Sequence, residues 1–402
     1  MTVSAVITGL GVVAPNGLGV ADYWSATCSG KSGIGRVGRF DITQYPSTLA
    51  GEISGFDAED HLPKRLLPQT DRMTQLALVA ADWALQDGDI RTSDMAEFRM
   101  GVVTANTCGG FEFGEGELRN LWSKGGSHVS AYQSFAWFYA VNTGQISIRQ
   151  GMRGPSSVVV SDQAGGLDAL AQARREIRRG SALVLSGGVD APICSWGWVA
   201  LQASGRISTS ELADRAYLPF DAEAHGQLPG EGGALLAVED MAAARDRGAR
   251  IYGTIAGYAT TFDPKPGSGH EPGLRRAIEL ALADAELAPG DVDVVFADAA
   301  ADLELDQIEA EAIGAVFGPC EVPVTAPKTM TGRLGCGAGA LDVATALLSI
   351  RDGCIPPTTN IDPMSSYDLD VVTETRPATV RNAMVLGRGI GGFNSALIVG
   401  AV

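Results

Sequence analysis

Side chains able to act as nucleophiles or proton carriers near neutral pH are few in this sequence, and they are scattered. Four histidines stand at His61, His128, His225 and His270, and six cysteines at Cys28, Cys108, Cys194, Cys320, Cys336 and Cys354. No CxxC pair or other metal-ligand spacing connects them, so the cysteines read as reduced, mostly structural thiols and no metal site is expected. One segment does place a polar side chain at a strand-to-helix turn. In SSVVVSDQAGGLDALAQARREI a short β-rich run passes into a helical pattern, with Gln163 at the junction. A carboxamide does not attack acyl carbon. By type alone, Gln163 is a polar residue opening a helix, expected to hydrogen-bond that helix's N-terminal amides.

The elements that must carry this turn belong to an ordinary globular chain. Its 402 residues are 45% hydrophobic, 19% charged and 6% aromatic, enough for a large core. The net charge of -17 argues against nucleic acid and anionic membrane as partners, since both demand a basic face. Arg174, Arg175, Arg178 and Arg179 form a local exception, read as a solvated helix face. The apolar opening from Val3 to Ile7 lacks a basic leader, and no apolar run reaches bilayer length; a cytoplasmic protein is expected.

Two parts of the chain share a design. Residues 3–9 and 251–258 are short β-rich openings, each followed by a Pro/Gly-containing loop and later by an Ala/Leu-rich helix, at 73–86 and 274–287. Buried strands are predicted at 100–104, 157–160, 182–186, 292–297 and 384–386, and helices at 165–179 and 339–351. Strand and helix alternation makes a layered α/β fold of duplicated units, with a seam in the charged stretch near 245–248. The halves are expected at 1–247 and 248–402 and should pack together, since no low-complexity linker separates them.

The segments ITGLGVVAPNG, AYLPFDAEAHGQLPGEGGALLAVED, PKTMTGRLGCGAGALD and GRGIGGFNSALI carry a resemblance, over nearly the whole chain, to β-ketoacyl synthases of the thiolase-like superfamily. It implies a five-layered αβαβα fold with two pseudo-repeated halves, a dimer, and substrates carried on the phosphopantetheine arm of an acyl carrier protein, with no cofactor of the chain's own. A condensing member needs a cysteine at a strand-to-helix turn, where helix amides favour the thiolate. It also needs two histidines to stabilise the charge that develops as a malonyl thioester loses carbon dioxide, and a supporting lysine.

Against that pattern, Gln163 stands at the cysteine position. Asp298 replaces the histidine of an HGTxT-like motif, with Asp306 and Glu309 matching its downstream acids. Arg333 replaces the histidine that ends KxxxGH, while Lys328 is retained. Ile390 takes the place of a phenylalanine ahead of Gly391 and Gly392. No residue is therefore expected to be catalytically active, because losing one member of a cooperating set costs up to about a millionfold in rate.

Within the family, this pattern resembles the chain-length factor, the non-condensing ketosynthase β subunit of an aromatic, type II polyketide synthase. The alternative is a decarboxylase that makes the starter unit from malonyl carrier protein, with Gln163 mimicking an acylated cysteine. The resemblance implies a heterodimer with a catalytic ketosynthase whose interface tunnel receives the growing chain. Phe111, Gly114 and Leu118, with Trp196, match the positions that close the tunnel. Small residues at 114 and 118 suggest a longer, decaketide-like product. The aromatic run Phe135, Trp137, Phe138 and Tyr139 is expected at the dimer interface. Carrier protein, itself acidic in this family, is expected to dock mainly on the partner.

Overall fold

The computed structural model describes residues 4–265 and 267–402. Short apolar runs become strands and the Ala/Leu-rich stretches become helices. In chain order the first part holds β1 (Ala5–Ala14), α1 (Val20–Cys28), α2 (Arg72–Asp87), β2 (Met100–Ala105), α3 (Phe111–Lys124), α4 (Val141–Gln150), β3 (Ser156–Val159), α5 (Gly165–Arg178), β4 (Leu183–Asp190), α6 (Ser195–Ala203), β5 (Gly232–Asp240) and α7 (Met241–Asp246). The second part holds β6 (Gly253–Phe262), α8 (Leu274–Ala285), β7 (Val294–Phe296), α9 (Leu303–Phe317), β8 (Pro323–Thr325), α10 (Gly337–Asp352), β9 (Asn382–Gly389) and β10 (Phe393–Gly400). The strands and helices named from the sequence are present. β1, β4 and β9 run past their predicted ends, because their glycine-bearing continuations stay in the ladder.

Strand order reveals the duplication. One half runs β3-β2-β4-β5-β1 and the other β8-β7-β9-β10-β6, so each strand has a counterpart five strands later. In both halves the first two pairings are parallel and the next two antiparallel. The halves join where β1 and β6 pair at Val6–Thr254 and Ile7–Gly253.

Alternation along the strands builds the layers. Val103, Val184, Leu236 and Val238 face a central core that also receives Val294, Val385, Leu397 and Val399 from the second half. Their neighbours Val102, Leu185 and Leu235 point outward to α2, while Val295, Met384, Leu386 and Ile398 point outward to α8 and α9. Helices α5 and α10 fill the space between the two half-sheets, giving the thiolase-like αβαβα sandwich. They cross closely because glycines face the contact. A Cβ on Gly166 would lie 2.6 Å from the Ala340 nitrogen, and one on Gly339 would lie 2.9 Å from Leu167 Cγ.

The arginine cluster departs from its reading as a solvated face. Arg174 is buried, its guanidinium bound to Asp284 and, at 3.0 Å, to the Ala256 carbonyl, because α5 lies inside the sandwich. Arg175, Arg178 and Arg179 remain exposed. At one border of the sheet lies β3, with Ser156 and Ser157 exposed and Val160 protruding just past its end; Ile148 of α4 is exposed as well.

Candidate functional site

The turn after β3 is built by several polar ties. Asp162 holds φ at 51°, in the left-handed region that non-glycine residues seldom occupy. Its Oδ2 accepts from the Ile390 amide at 2.9 Å, which pins the conformation. Asp168, one turn into α5, accepts from the hydroxyls of Ser161, Ser395 and, at 2.8 Å, Tyr258. Gln163 is buried in the short turn that precedes α5. With the amide oriented so that both atoms find partners, its nitrogen donates to the Gly335 carbonyl and its oxygen accepts from the Gly335 amide, each at 3.2 Å. The expected contact with α5's own amides is thus replaced by one with the segment leading into α10, since the central helices start side by side.

Asp298 and Arg333 come together. Arg333 Nη2 lies 3.0 Å from each Asp298 carboxylate oxygen, and Nη1 donates to the Asp298 carbonyl at 2.8 Å. The Arg388 amide adds a second donor to the carboxylate at 2.9 Å. Both side chains are buried. Burial is the largest influence and works against the Arg333 charge, but Asp298, Tyr217 and Asp162 together outweigh it and hold the guanidinium above its usual pKa.

The loop bearing Asp298 is held by the acids expected downstream. Ala299 and Ala301 have φ of 52° and 57°. Glu309 accepts from the Asp298 and Ala299 amides at 2.7 and 2.8 Å, and Asp306 from the Phe220 and Ala301 amides at 2.9 and 3.1 Å. Burial pushes Asp306 up to about 7, and it raises Glu309 together with the neighbouring Asp298 charge. Lys328 is buried too, its ammonium 2.7 Å from Asp342 and bound to the Ala297 carbonyl. Lys328 meets the loop through its backbone alone, whereas Arg333 meets both the backbone and the Asp298 carboxylate.

A cavity of about 760 Å³ adjoins the pair, lined by Asp162, Asp298, Arg333, Arg388 and Ile390 among others. Gln163 is not part of its lining. Asp162 and Arg388 were not singled out in the sequence; the left-handed turn and the backbone route of Arg388 are tertiary facts. His270 also lines this cavity, from an exposed position outside the expected motifs. Among the described residues, no cluster of histidine, cysteine or carboxylate groups could hold a metal ion. The Asp298–Arg333 pair contains no thiol and no imidazole, and its two charges are engaged with each other and with the backbone.

The four residues expected to line a tunnel, Phe111, Gly114, Leu118 and Trp196, lie together at the α3–α6 contact. Phe111 stacks on Trp196 with ring centroids 4.9 Å apart and planes at 19°. Gly114 lies within α3, facing the indole: a Cβ there would sit 3.1 Å from Trp196 Cζ3. Glu115 fixes the start of α6, accepting from the Ser195 hydroxyl and, at 3.1 Å, from the Trp196 amide. Leu118 and Trp196 line a mostly apolar groove of about 440 Å³ with Trp122 and Val199. Trp137, Phe138 and Tyr139 are exposed, and Phe135 is partly buried.

Comparison with known proteins accords with this geometry. The model of the β-ketoacyl synthase N-terminal domain matches residues 4–244, and that of the β-ketoacyl synthase C-terminal domain matches 252–362. The actinorhodin polyketide β-ketoacyl synthase 2 of Streptomyces coelicolor is 61% identical over 98% of each chain. The tetracenomycin polyketide synthase ketoacyl synthase beta subunit of Streptomyces glaucescens is 58% identical over 98% of this chain and 97% of that one. Among solved structures, the ishigamide ketosynthase/chain length factor superimposes with a TM-score of 0.90 at 27% identity, covering 100% of both chains. A complex of a type II polyketide synthase acyl carrier protein with its hexaketide-bound ketosynthase, AntDE:AntF, gives 0.89 at 29% identity, again over 100% of both. No helix among the described residues is long and apolar enough to cross a membrane.

Proposed function

The chain belongs to the β-ketoacyl synthase family, on the ketosynthase β-subunit branch of the type II polyketide synthases, and from that premise we propose that it is a non-condensing subunit that sets polyketide chain length. The observation that carries this reading is the buried Asp298–Arg333 pair. Condensation requires donors aimed at the enolate formed as malonyl thioester loses carbon dioxide. Here one histidine position holds a carboxylate, which repels that charge, and the other an arginine committed to the carboxylate and to backbone carbonyls. Gln163 removes the nucleophile as well. The same engagement of Arg333 weighs against a starter-generating decarboxylase, which would need the same stabilisation without the thiol.

In this reading the chain pairs with a cysteine-bearing ketosynthase. Trp137, Phe138, Tyr139 and the border around β3 supply the interface, as their exposure in the lone chain favours. The two halves, 1–247 and 248–402, act as one body around α5 and α10. The polyketide rides on the phosphopantetheine arm of a carrier protein that docks mainly on the partner, since the net charge of -17 is unfavourable to an acidic carrier. The Phe111–Trp196 stack, Gly114 and Leu118 form the wall that the chain end meets. A long, decaketide-like product then finds its room at Leu118, because the indole already occupies the space over Gly114.

The test is co-expression with a ketosynthase that keeps its cysteine and both histidines. A one-to-one complex that makes polyketide, with no condensation or carbon dioxide release by this chain alone, is expected. Condensation by the isolated chain, or failure to pair, would overturn the proposal.

A further inference from the structure

We propose that Cys28 and Cys354 are a modification site, a thiol pair that closes to a disulfide when the protein meets a low-molecular-weight disulfide. The two residues are 326 positions apart in sequence, yet their sulfurs lie 4.0 Å from one another. A disulfide needs about 2.05 Å, so the sulfurs must approach by roughly 2 Å. Each stands at or just past the end of a helix. Cys28 is the last residue of α1, and Cys354 follows Gly353, whose φ of 69° ends α10.

Neighbouring ties keep the two segments in register. Trp24 Nε1 donates to Asp352 at 2.6 Å, the Tyr23 and Thr345 hydroxyls are 2.6 Å apart, and the Thr375 hydroxyl donates to the Cys28 carbonyl. Both thiols are partly exposed, which admits a small reagent. Burial and the adjacent Cys354 thiol push Cys28 up to about 12, and burial raises Cys354. Thiolate is scarce near neutrality, so the reaction is slow there and quickens with alkalinity.

The electron balance is that of thiol–disulfide exchange. One cysteine thiolate attacks a sulfur of oxidised glutathione and releases one glutathione. The second cysteine then attacks the protein-side sulfur of the mixed disulfide and releases another. Two S–H bonds are lost from the protein, one S–S bond forms, and the two protons end on the released thiols. The link would join α1 to the far end of α10, the helix whose leading segment holds Gly335 against Gln163. It would also close a loop spanning most of the chain, which limits the unfolded ensemble.

The experiment treats the folded chain with oxidised glutathione at mildly alkaline pH, then counts thiols and maps peptides without reduction. The expected result is a Cys28–Cys354 cross-link, a mass loss of two hydrogens, a higher unfolding temperature, and reversal by dithiothreitol. Cys28→Ser and Cys354→Ser should each abolish the cross-link. Glutathione adducts on exposed Cys320 show that the reagent is active. Adducts there with both pair thiols still free, or a stable glutathione adduct on either without the cross-link, would overturn the proposal.

Discussion

Arg333 and Asp298 meet side by side, with one guanidinium nitrogen 3.0 Å from both carboxylate oxygens and both side chains removed from solvent. Two positions that look independent along the chain are one contact in space. Each charge makes the other tolerable where imidazoles are expected.

Breaking the pair from one side should therefore be costly. Arg333→Met leaves a buried carboxylate without its counter-charge and is expected to lose about 3–5 kcal/mol of stability. The double variant Arg333→Met with Asp298→Leu should recover most of that loss. Urea unfolding of the purified variants measures both; equal losses would mean that the pairing itself contributes little.

Restoring the thiol alone should not restore chemistry. Gln163→Cys in the complex is expected to leave this subunit unable to form a carbon–carbon bond, because the charge-stabilising groups act as a unit with the nucleophile. Radiolabelled malonyl carrier protein, with the partner's own cysteine blocked, makes the measurement.

Gly114→Leu must displace an indole that already stands 3.1 Å from the glycine's missing Cβ. The stack with Phe111 should open and products should shorten, whereas Trp196→Ala should lengthen them by removing the wall. Product sizing with the native partner checks both, and unchanged lengths would place the wall elsewhere.

Asp306 carries a pH signature. Burial raises its folded pKa to about 7, above the ordinary carboxylate value near 4 that holds in the unfolded chain. Between those values the folded state keeps a proton that the unfolded state has lost. Its contribution is present at the acid end of the window and is lost as pH rises towards about 7, with a slope of at most about 1.4 kcal/mol per pH unit. Thermal unfolding across that window measures the slope. Asp306→Asn should flatten it, though the variant also loses an acceptor for the Phe220 or Ala301 amide.

Much of the scaffold was legible because buried strands and amphipathic helices announce themselves by period. Val102 and Val103, adjacent in sequence, point into different cores, and alternation alone predicts that. Position-by-position reading also singled out Gln163, Asp298 and Arg333, the last two of which are in contact. What it could not supply were contacts between distant segments. Gln163 pairs with Gly335 and not with the helix it opens, Arg174 is buried and not solvated, and Trp196 covers Gly114. In each case the deciding neighbour lies far away along the chain, and its distance is set by how α5 and α10 are sandwiched.

The border strand β3 has a practical consequence. Among the described residues no strand pairs with its outer side, and Val160 protrudes just past its end, the kind of margin that invites strand addition. Produced without a mate, the polypeptide should form off-target aggregates through this margin. Yield and shelf life then become attributes of the pair, and recombinant work on it should begin from a bicistronic vector.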